Sequence, residues 1–162
     1  MSTPGVCNQI VDYAVQVFGG AAGINAQLAE MAGARTLPRV GSILRLSASI
    51  ESYEKTTAVR YPAATLCCQK IKNAQTEKFR SLSGTATLAL DIRVTGERAE
   101  DIEAHLNTYV EAACRVLESS LGQWTNAGFY AGAYDVKFQG IRPGGKQFTK
   151  SAEIVFDIQL SR

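Results

Sequence analysis

The chain has 162 residues, 46% of them hydrophobic and 20% charged, and a formal net charge of +2. This length and composition predict a single soluble globular domain, residues 1–162, that buries a sizeable hydrophobic core. The small net charge argues against a protein that binds nucleic acid through overall positive charge.

Residues 1–38 are predicted to form an N-terminal helical segment. Apolar residues recur at helical spacing over residues 4–18, and Gly19-Gly20 ends this first helix. A second, shorter helix is predicted over residues 23–32 for the same reason. The glycines between the two helices lack the GxxxxGK[ST] spacing of a phosphate-binding loop and do not follow a strand. They therefore indicate a flexible break between helices.

The next part of the chain carries less regular patterns. Residues 39–50 fit an alternating strand pattern, which we favour, and they also fit a helical one. Residues 51–60 are polar and predict an exposed loop. Residues 61–70 predict a strand, and the polar residues 72–82 predict the loop that connects it to the following strand.

A half-buried strand and a long helix follow. Residues 84–95 alternate between apolar and polar side chains, as in an antiparallel sheet that has one face on the core. Residues 98–121 carry a continuous apolar stripe at helical spacing that includes Leu106 and ends with Leu121. Because both elements have one apolar face, we predict that the stripe of the helix packs on the apolar face of the strand.

Two further strands complete the predicted fold. They cover residues 131–141 and 148–160, and the turn-rich connector 142–147 between them predicts a hairpin. The predicted fold class is α+β. An antiparallel sheet of about four or five strands packs against a long helix and an N-terminal helix.

No group of residues predicts catalysis, a cofactor or a metal site. His105 lies toward the polar flank of the long helix and lacks a predicted catalytic partner, so we interpret it as a solvated histidine. The acidic run from Glu97 to Glu103 lies where the positive end of the helix dipole favours acids without a metal. We therefore expect a protein that is not an enzyme and needs no cofactor.

Cysteine usage and hydropathy indicate a cytoplasmic place of assembly. The four cysteines, Cys7, Cys67, Cys68 and Cys114, form no CxxC pair and no zinc ligand set. They predict small, reduced core residues. The N-terminus predicts no signal peptide. No apolar stretch approaches the roughly 18 residues that a membrane span requires, so no membrane contact is expected.

Basic residues gather around the two predicted hairpins. Residues 1–81 carry nine Lys or Arg against five acids, whereas residues 82–162 carry eight against ten. Either basic group could contact DNA phosphates, but the near-neutral chain favours contact with a neighbouring subunit or another protein. The candidate contact residues are Lys72, Lys78, Arg80, Arg142 and Lys146.

Residues 60–160 resemble the tail terminator and tail-completion (neck) proteins of bacteriophages. The segments that carry the resemblance are YPAAT (61–65), EKFRSLSG (77–84), DIRVTG (91–96), YVEA (109–112), FYAGAYDV (129–136) and GGKQF (144–148). None of these motifs is a catalytic signature.

The resemblance implies a structural protein of the virion. A tail terminator forms a ring, often of six copies, that caps the finished tail tube and presents a surface for head joining. Its partners would be other copies of itself, the tail tube protein and a neck or head-completion protein. DNA would pass through the lumen without sequence-specific binding. The alternatives are a head–tail adaptor or stopper of the neck that contacts DNA, and a small ligand-binding or enzymatic α+β domain with a concave pocket.

Overall fold

A computed structural model describes residues 5–31, 33–34, 36–46, 60–144 and 147–162 of the chain. Its fold is α+β and its sheet is antiparallel, as predicted. The elements are, in chain order, α1 (Val6–Gly19), α2 (Ile24–Glu30), β1 (Ala63–Asn73), β2 (Ser83–Gly96), α3 (Ala99–Glu118), β3 (Gly122–Gln123), β4 (Gly128–Phe138), β5 (Arg142–Gly144) and β6 (Gln147–Ser161).

The sheet of the described residues has six strands, in the spatial order β1-β2-β6-β4-β3, with β5 paired to β6. The prediction of about four or five strands was too low. The four long strands match those predicted from the alternating patterns. The two additional strands, β3 and β5, have only two and three residues, which is too short for a period-2 pattern to reveal.

The core lies between one face of the sheet and the helices. Every second residue of β2 from Ala86 to Val94 is buried, and the β6 partners of the first four, from Ile158 to Ala152, are buried as well. Leu106 and the rest of the α3 stripe up to Leu117 belong to the same cluster. The predicted packing of this helix on β2 is therefore confirmed. Leu121 departs from the prediction, because α3 ends at Glu118 and Leu121 is 61% exposed.

The two N-terminal helices share this core. Their buried side chains, which include Ile10, Phe18 and Leu28, join the sheet residues in one cluster. Phe18 meets Phe156 of β6 edge to face, with ring centroids 5.7 Å apart. None of the described helices combines the length and apolar character needed to cross a membrane.

The segment after α2 is tied to the fold by side chains. The Asn25 side chain accepts a hydrogen bond from the Val40 backbone N–H (2.8 Å) and donates one to the Val40 carbonyl (2.9 Å). The predicted strand over residues 39–50 is wrong in its described part, where only Leu44 pairs, in a single parallel bridge with Thr65. The rest of that strand, and residues 51–59 of the predicted loop, lie outside the described residues.

The hairpin predicted near the end of the chain is confirmed, with shifted bounds. Strand β4 covers residues 128–138 where 131–141 was predicted, and it pairs antiparallel with β6. The first residues of the predicted connector form β5, which folds back on β6 so that Arg142 lies opposite Thr149. Residues 145–146, and with them Lys146, lie outside the described residues.

Candidate interaction surfaces

The connection between β1 and β2 is a long exposed hairpin that carries three of the predicted contact residues. Lys72 lies near the end of β1, and Lys78 and Arg80 lie in the loop. Phe79 stands between these two cations, is fully exposed and has a φ of 65°. We call Lys78, Phe79 and Arg80 the hairpin tip. Lys72 and Lys78 form no ion pair with any residue that the structure describes.

Polar side chains hold the base of this hairpin in place. The Asn73 carboxamide oxygen accepts hydrogen bonds from the Ser83 and Gln75 N–H groups at 3.0 and 3.3 Å. The Ser83 hydroxyl accepts one from the Glu77 N–H at 3.1 Å. Glu77 in turn accepts one from the Ser161 hydroxyl at 2.7 Å. These bonds connect the loop to its own strands and to the end of β6, so the tip is presented in a defined orientation.

The sheet face turned away from the helices has a polar surface over β4 and β6. We call it the open face, and its exposed residues are Phe129, Asp135, Lys137, Asp157 and Gln159. Asp157 accepts a hydrogen bond of 2.8 Å from the Thr87 hydroxyl on β2. Neither Asp135 nor Asp157 forms an ion pair with a described residue.

A bulge in β4 opens a cavity on this face. Between Tyr130 and Tyr134 the strand advances four residues while its partner β6 advances two, and Gly132 takes a positive φ of 110°. The extra residues lift β4 away from regular pairing. The resulting bulge cavity has a volume of about 300 Å³ and is lined by Gly132, Ala133, Tyr134, Asp135, Val155 and Asp157.

The opposite end of the sheet carries Arg142, the fourth predicted contact residue. It is exposed on β5 and lines a polar cavity of about 170 Å³ together with Asp91, Arg93 and Thr149. Burial raises the pKa of the Asp91 carboxyl, Arg93 lowers it and Glu153 raises it further. One oxygen of Asp91 is buried and makes no hydrogen bond to a described residue.

The predicted contact residues do not form one site. Lys72 lies opposite Thr85 of β2, which lies opposite Gln159 of β6, whereas Arg142 lies opposite Thr149 of β6. At about 3.4 Å per residue, these two points on β6 are about 34 Å apart. The structure thus places Lys72, Lys78 and Arg80 at one end of the sheet and Arg142 at the other.

Lys150, which lies on β6 close to the second predicted hairpin, is not available as a surface cation. Its side chain is 10% exposed, and its ammonium lies 2.5 Å from the Glu103 carboxylate on α3. The ammonium also lies 5.5 Å from the centre of the Phe138 ring. The pair joins β6 to the first turns of α3, so one member of the acidic run acts as a structural partner.

The other polar groups singled out in the sequence stay apart. His105 is exposed on α3, and Asp101 of the acidic run lies 3.9 Å from Arg98. Within the described residues, no three His, Cys, Asp or Glu side chains come close enough together to hold a metal ion.

The four cysteines are free thiols and only partly buried. The prediction that they are core residues holds in part, because Cys68 and Cys114 pack against the core, whereas Cys7 and Cys67 do not belong to it. Burial raises the pKa of the Cys68 thiol to about 11, with a smaller contribution from the neighbouring Cys7. Because the thiolate is the reactive form of cysteine, this environment makes Cys68 a poor nucleophile at neutral pH.

Sequence reasoning missed Phe79 as an isolated exposed aromatic and missed the bulge cavity. Phe79 stands in a polar loop between two cations, and Gly132 interrupts an otherwise regular strand pattern. A glycine inside a strand is a recognised mark of a bulge, so this second signal was available. Searches of protein-family models and of curated proteins found no match to this chain.

Proposed function

We propose that this chain is a structural virion protein, a tail terminator whose copies form a ring of six. The ring caps the phage tail tube and joins it to the neck or head, after assembly in the host cytoplasm. The observation that carries the proposal is the arrangement of exposed hairpins at the two ends of one sheet, about 34 Å apart along β6. The sequence resemblance of residues 60–160 supports the same function.

A ring cap requires several distinct contact regions on each subunit. One end must meet the tube, the other end must meet the neck, and two flanks must meet neighbouring copies. The chain offers the β1–β2 hairpin at one end, the Arg142 region at the other, and the open face of β4 and β6 between them. In this assignment Lys72, Lys78 and Arg80 contact the tail tube or a neighbouring subunit.

A second candidate is a neck adaptor or stopper that contacts DNA. Lys70, Lys72 and Lys78 favour it, because they are exposed and form no ion pair with a described residue. Such cations would release counterions from DNA phosphates, so binding would fall steeply with rising salt. The near-neutral chain, with its net charge of +2, favours the tail terminator.

The test replaces Lys72, Lys78 and Arg80 together with Ser and measures both activities. If the hairpin meets protein, the triple variant caps tail tubes less well, and DNA affinity is weak in both proteins. A matched control replaces Arg115 with Ser, because Arg115 is an exposed cation on α3 and lies outside the β1–β2 hairpin, the Arg142 region and the open face. Tight, salt-dependent DNA binding that is lost in the triple variant, with capping unchanged, would establish the neck adaptor instead.

A further inference from the structure

Phe79 is an aromatic side chain that is fully exposed to solvent. It is the most exposed of the large hydrophobic residues that the structure describes, and its backbone adopts a positive φ of 65°. An aromatic side chain gains much by burial, and an exposed one flanked by polar groups often marks a binding contact. The position of Phe79 is therefore that of a side chain which contacts another molecule.

The hairpin tip is held in a way that suits a binding contact. The Arg80 guanidinium lies 3.7 Å from the Glu77 carboxylate, and the Ser81 hydroxyl donates to the Arg162 carbonyl at 3.2 Å. The Leu82 and Arg162 backbones also exchange two hydrogen bonds, of 3.0 and 2.8 Å. Since the loop is already ordered, little conformational entropy is lost when the tip binds.

The bulge cavity has the complementary chemistry. Val155 and Ala133 give it apolar lining, while Asp135 and Asp157 place two carboxylates beside that lining. An aromatic ring between two cations matches the mixed apolar and acidic lining of this cavity in chemistry and in charge. The volume of about 300 Å³ is large enough for a Phe side chain.

We infer that the hairpin tip of one copy of this chain docks in the bulge cavity of the next copy. Phe79 enters the cavity, and Lys78 and Arg80 face the carboxylates of Asp135 and Asp157. The inference rests on the proposed function in one respect, namely that copies of the chain associate with one another.

The hairpin tip and the bulge cavity lie in different parts of the sheet, so the contact between two copies is not symmetric. The hairpin joins β1 and β2, whereas the cavity lies on β4 and β6, toward the other edge of the sheet. A contact between two different patches is heterologous, so each copy offers one tip and one cavity. Repetition of such a contact builds a closed ring when a whole number of the rotations that relate neighbouring copies adds up to one full turn.

The test measures self-association of the full chain by mass photometry, alone and with tail tubes. Phe79→Ala is expected to raise the dissociation constant between copies tenfold or more, as for a central aromatic contact. Phe148→Ala is the matched control, because Phe148 is also exposed but lies at the opposite end of β6. Phe148→Ala is expected to change the dissociation constant between copies less than twofold. Circular dichroism should show both variants folded, since Phe79 and Phe148 are both exposed side chains.

A charge exchange tests the pairing itself. Lys78→Glu and Asp135→Lys should each weaken association, and the double variant should recover at least part of it. Association that survives Phe79→Ala, or no recovery in the double variant, would overturn the inference. Wild-type protein that stays monomeric both alone and on tubes would overturn it as well.

Tube capping separates this inference from the proposed function. If wild type and Phe79→Ala both form rings that cap tubes, the docking contact is wrong and the function stands. If association depends on Phe79 and the charge exchange works, but the assembly does not cap tubes, the contact stands and the function is wrong.

Discussion

Leu106 and His105 are neighbours on α3 that face different surroundings. Leu106 is fully buried in the core, whereas His105 is exposed. Leu106→Ala removes buried methyl groups and leaves a cavity, so we expect it to lower the free energy of unfolding by about 2–5 kcal/mol. His105→Ala is the matched control and should change it by less than about 0.5 kcal/mol.

Urea denaturation of both variants tests this difference. A Leu106→Ala protein that is as stable as wild type would place α3 elsewhere than on the sheet. A His105→Ala protein whose free energy of unfolding falls by more than about 1 kcal/mol, or that fails to assemble, would show that this histidine is more than a solvated surface residue.

Asp91 provides a prediction about pH. Burial raises the pKa of its carboxyl in the folded protein above the ordinary aspartate value, and nearby Arg93 only partly opposes this. A group whose pKa is raised by folding stabilises the fold while protonated, and that stability is lost as the pH rises through the folded-state pKa. Asp91→Asn cannot ionise, so its stability relative to wild type should increase from about pH 4 upward.

Unfolding free energies measured from pH 3.5 to pH 7 check this expectation. The difference between Asp91→Asn and wild type should be smallest at the acid end and should grow in favour of the variant. A difference that stays constant, or that favours wild type more at pH 7 than at pH 4, would show that Asp91 is stabilised as a carboxylate.

At the residue scale, the sequence was most informative where a pattern repeats. The apolar positions of β2 and most of the α3 stripe are buried as predicted. Leu121 fits the stripe but is exposed, because α3 ends three residues before it, at Glu118. Lys150 could not be recognised as buried, because its partner Glu103 is 47 residues away.

At the element scale, Gly84 sets the spacing between β1 and β2. A Cβ at this position would lie 1.8 Å from the Lys72 carbonyl oxygen and 3.0 Å from the Ala74 nitrogen. Both are backbone atoms, so the strands would have to separate. Gly84→Ala should therefore lower the free energy of unfolding by about 1–3 kcal/mol, the usual cost of overpacking.

Gly140→Ala is the control for this substitution, because a Cβ there would meet nothing within 4 Å. Thermal and denaturant unfolding should show a clearly lower free energy of unfolding for Gly84→Ala than for Gly140→Ala. Equal stability of Gly84→Ala and Gly140→Ala would mean that the β1–β2 pairing differs from the one described.

Elements were predictable in proportion to their length. The long strands and α3 present several periods of an apolar pattern, so their type and approximate bounds could be read from the sequence. Residues 39–46 could not, because Asn25 side-chain hydrogen bonds and the Leu44 bridge hold them and no ladder does. The bulge cavity could not be predicted either. Its prediction requires the pairing of β4 with β6, and the residue pattern of a single strand does not contain that pairing.

At the scale of the whole molecule, charge is distributed by region and is small in total. The exposed cations of the β1–β2 hairpin and the carboxylates of the open face lie on one chain whose net charge is +2. Charge arranged in this way steers association and fixes the register between partners more than it adds affinity. This arrangement is consistent with the contacts proposed above between copies of the chain and with a tail tube.

The most direct test of the ring cap is electron microscopy of the purified chain mixed with tail tubes assembled without it. We expect one closed ring of six copies at one end of each tube, and tubes that no longer lengthen once the ring is bound. Rings that ignore tube ends, copies bound along the tube wall, or tubes that continue to grow would contradict it.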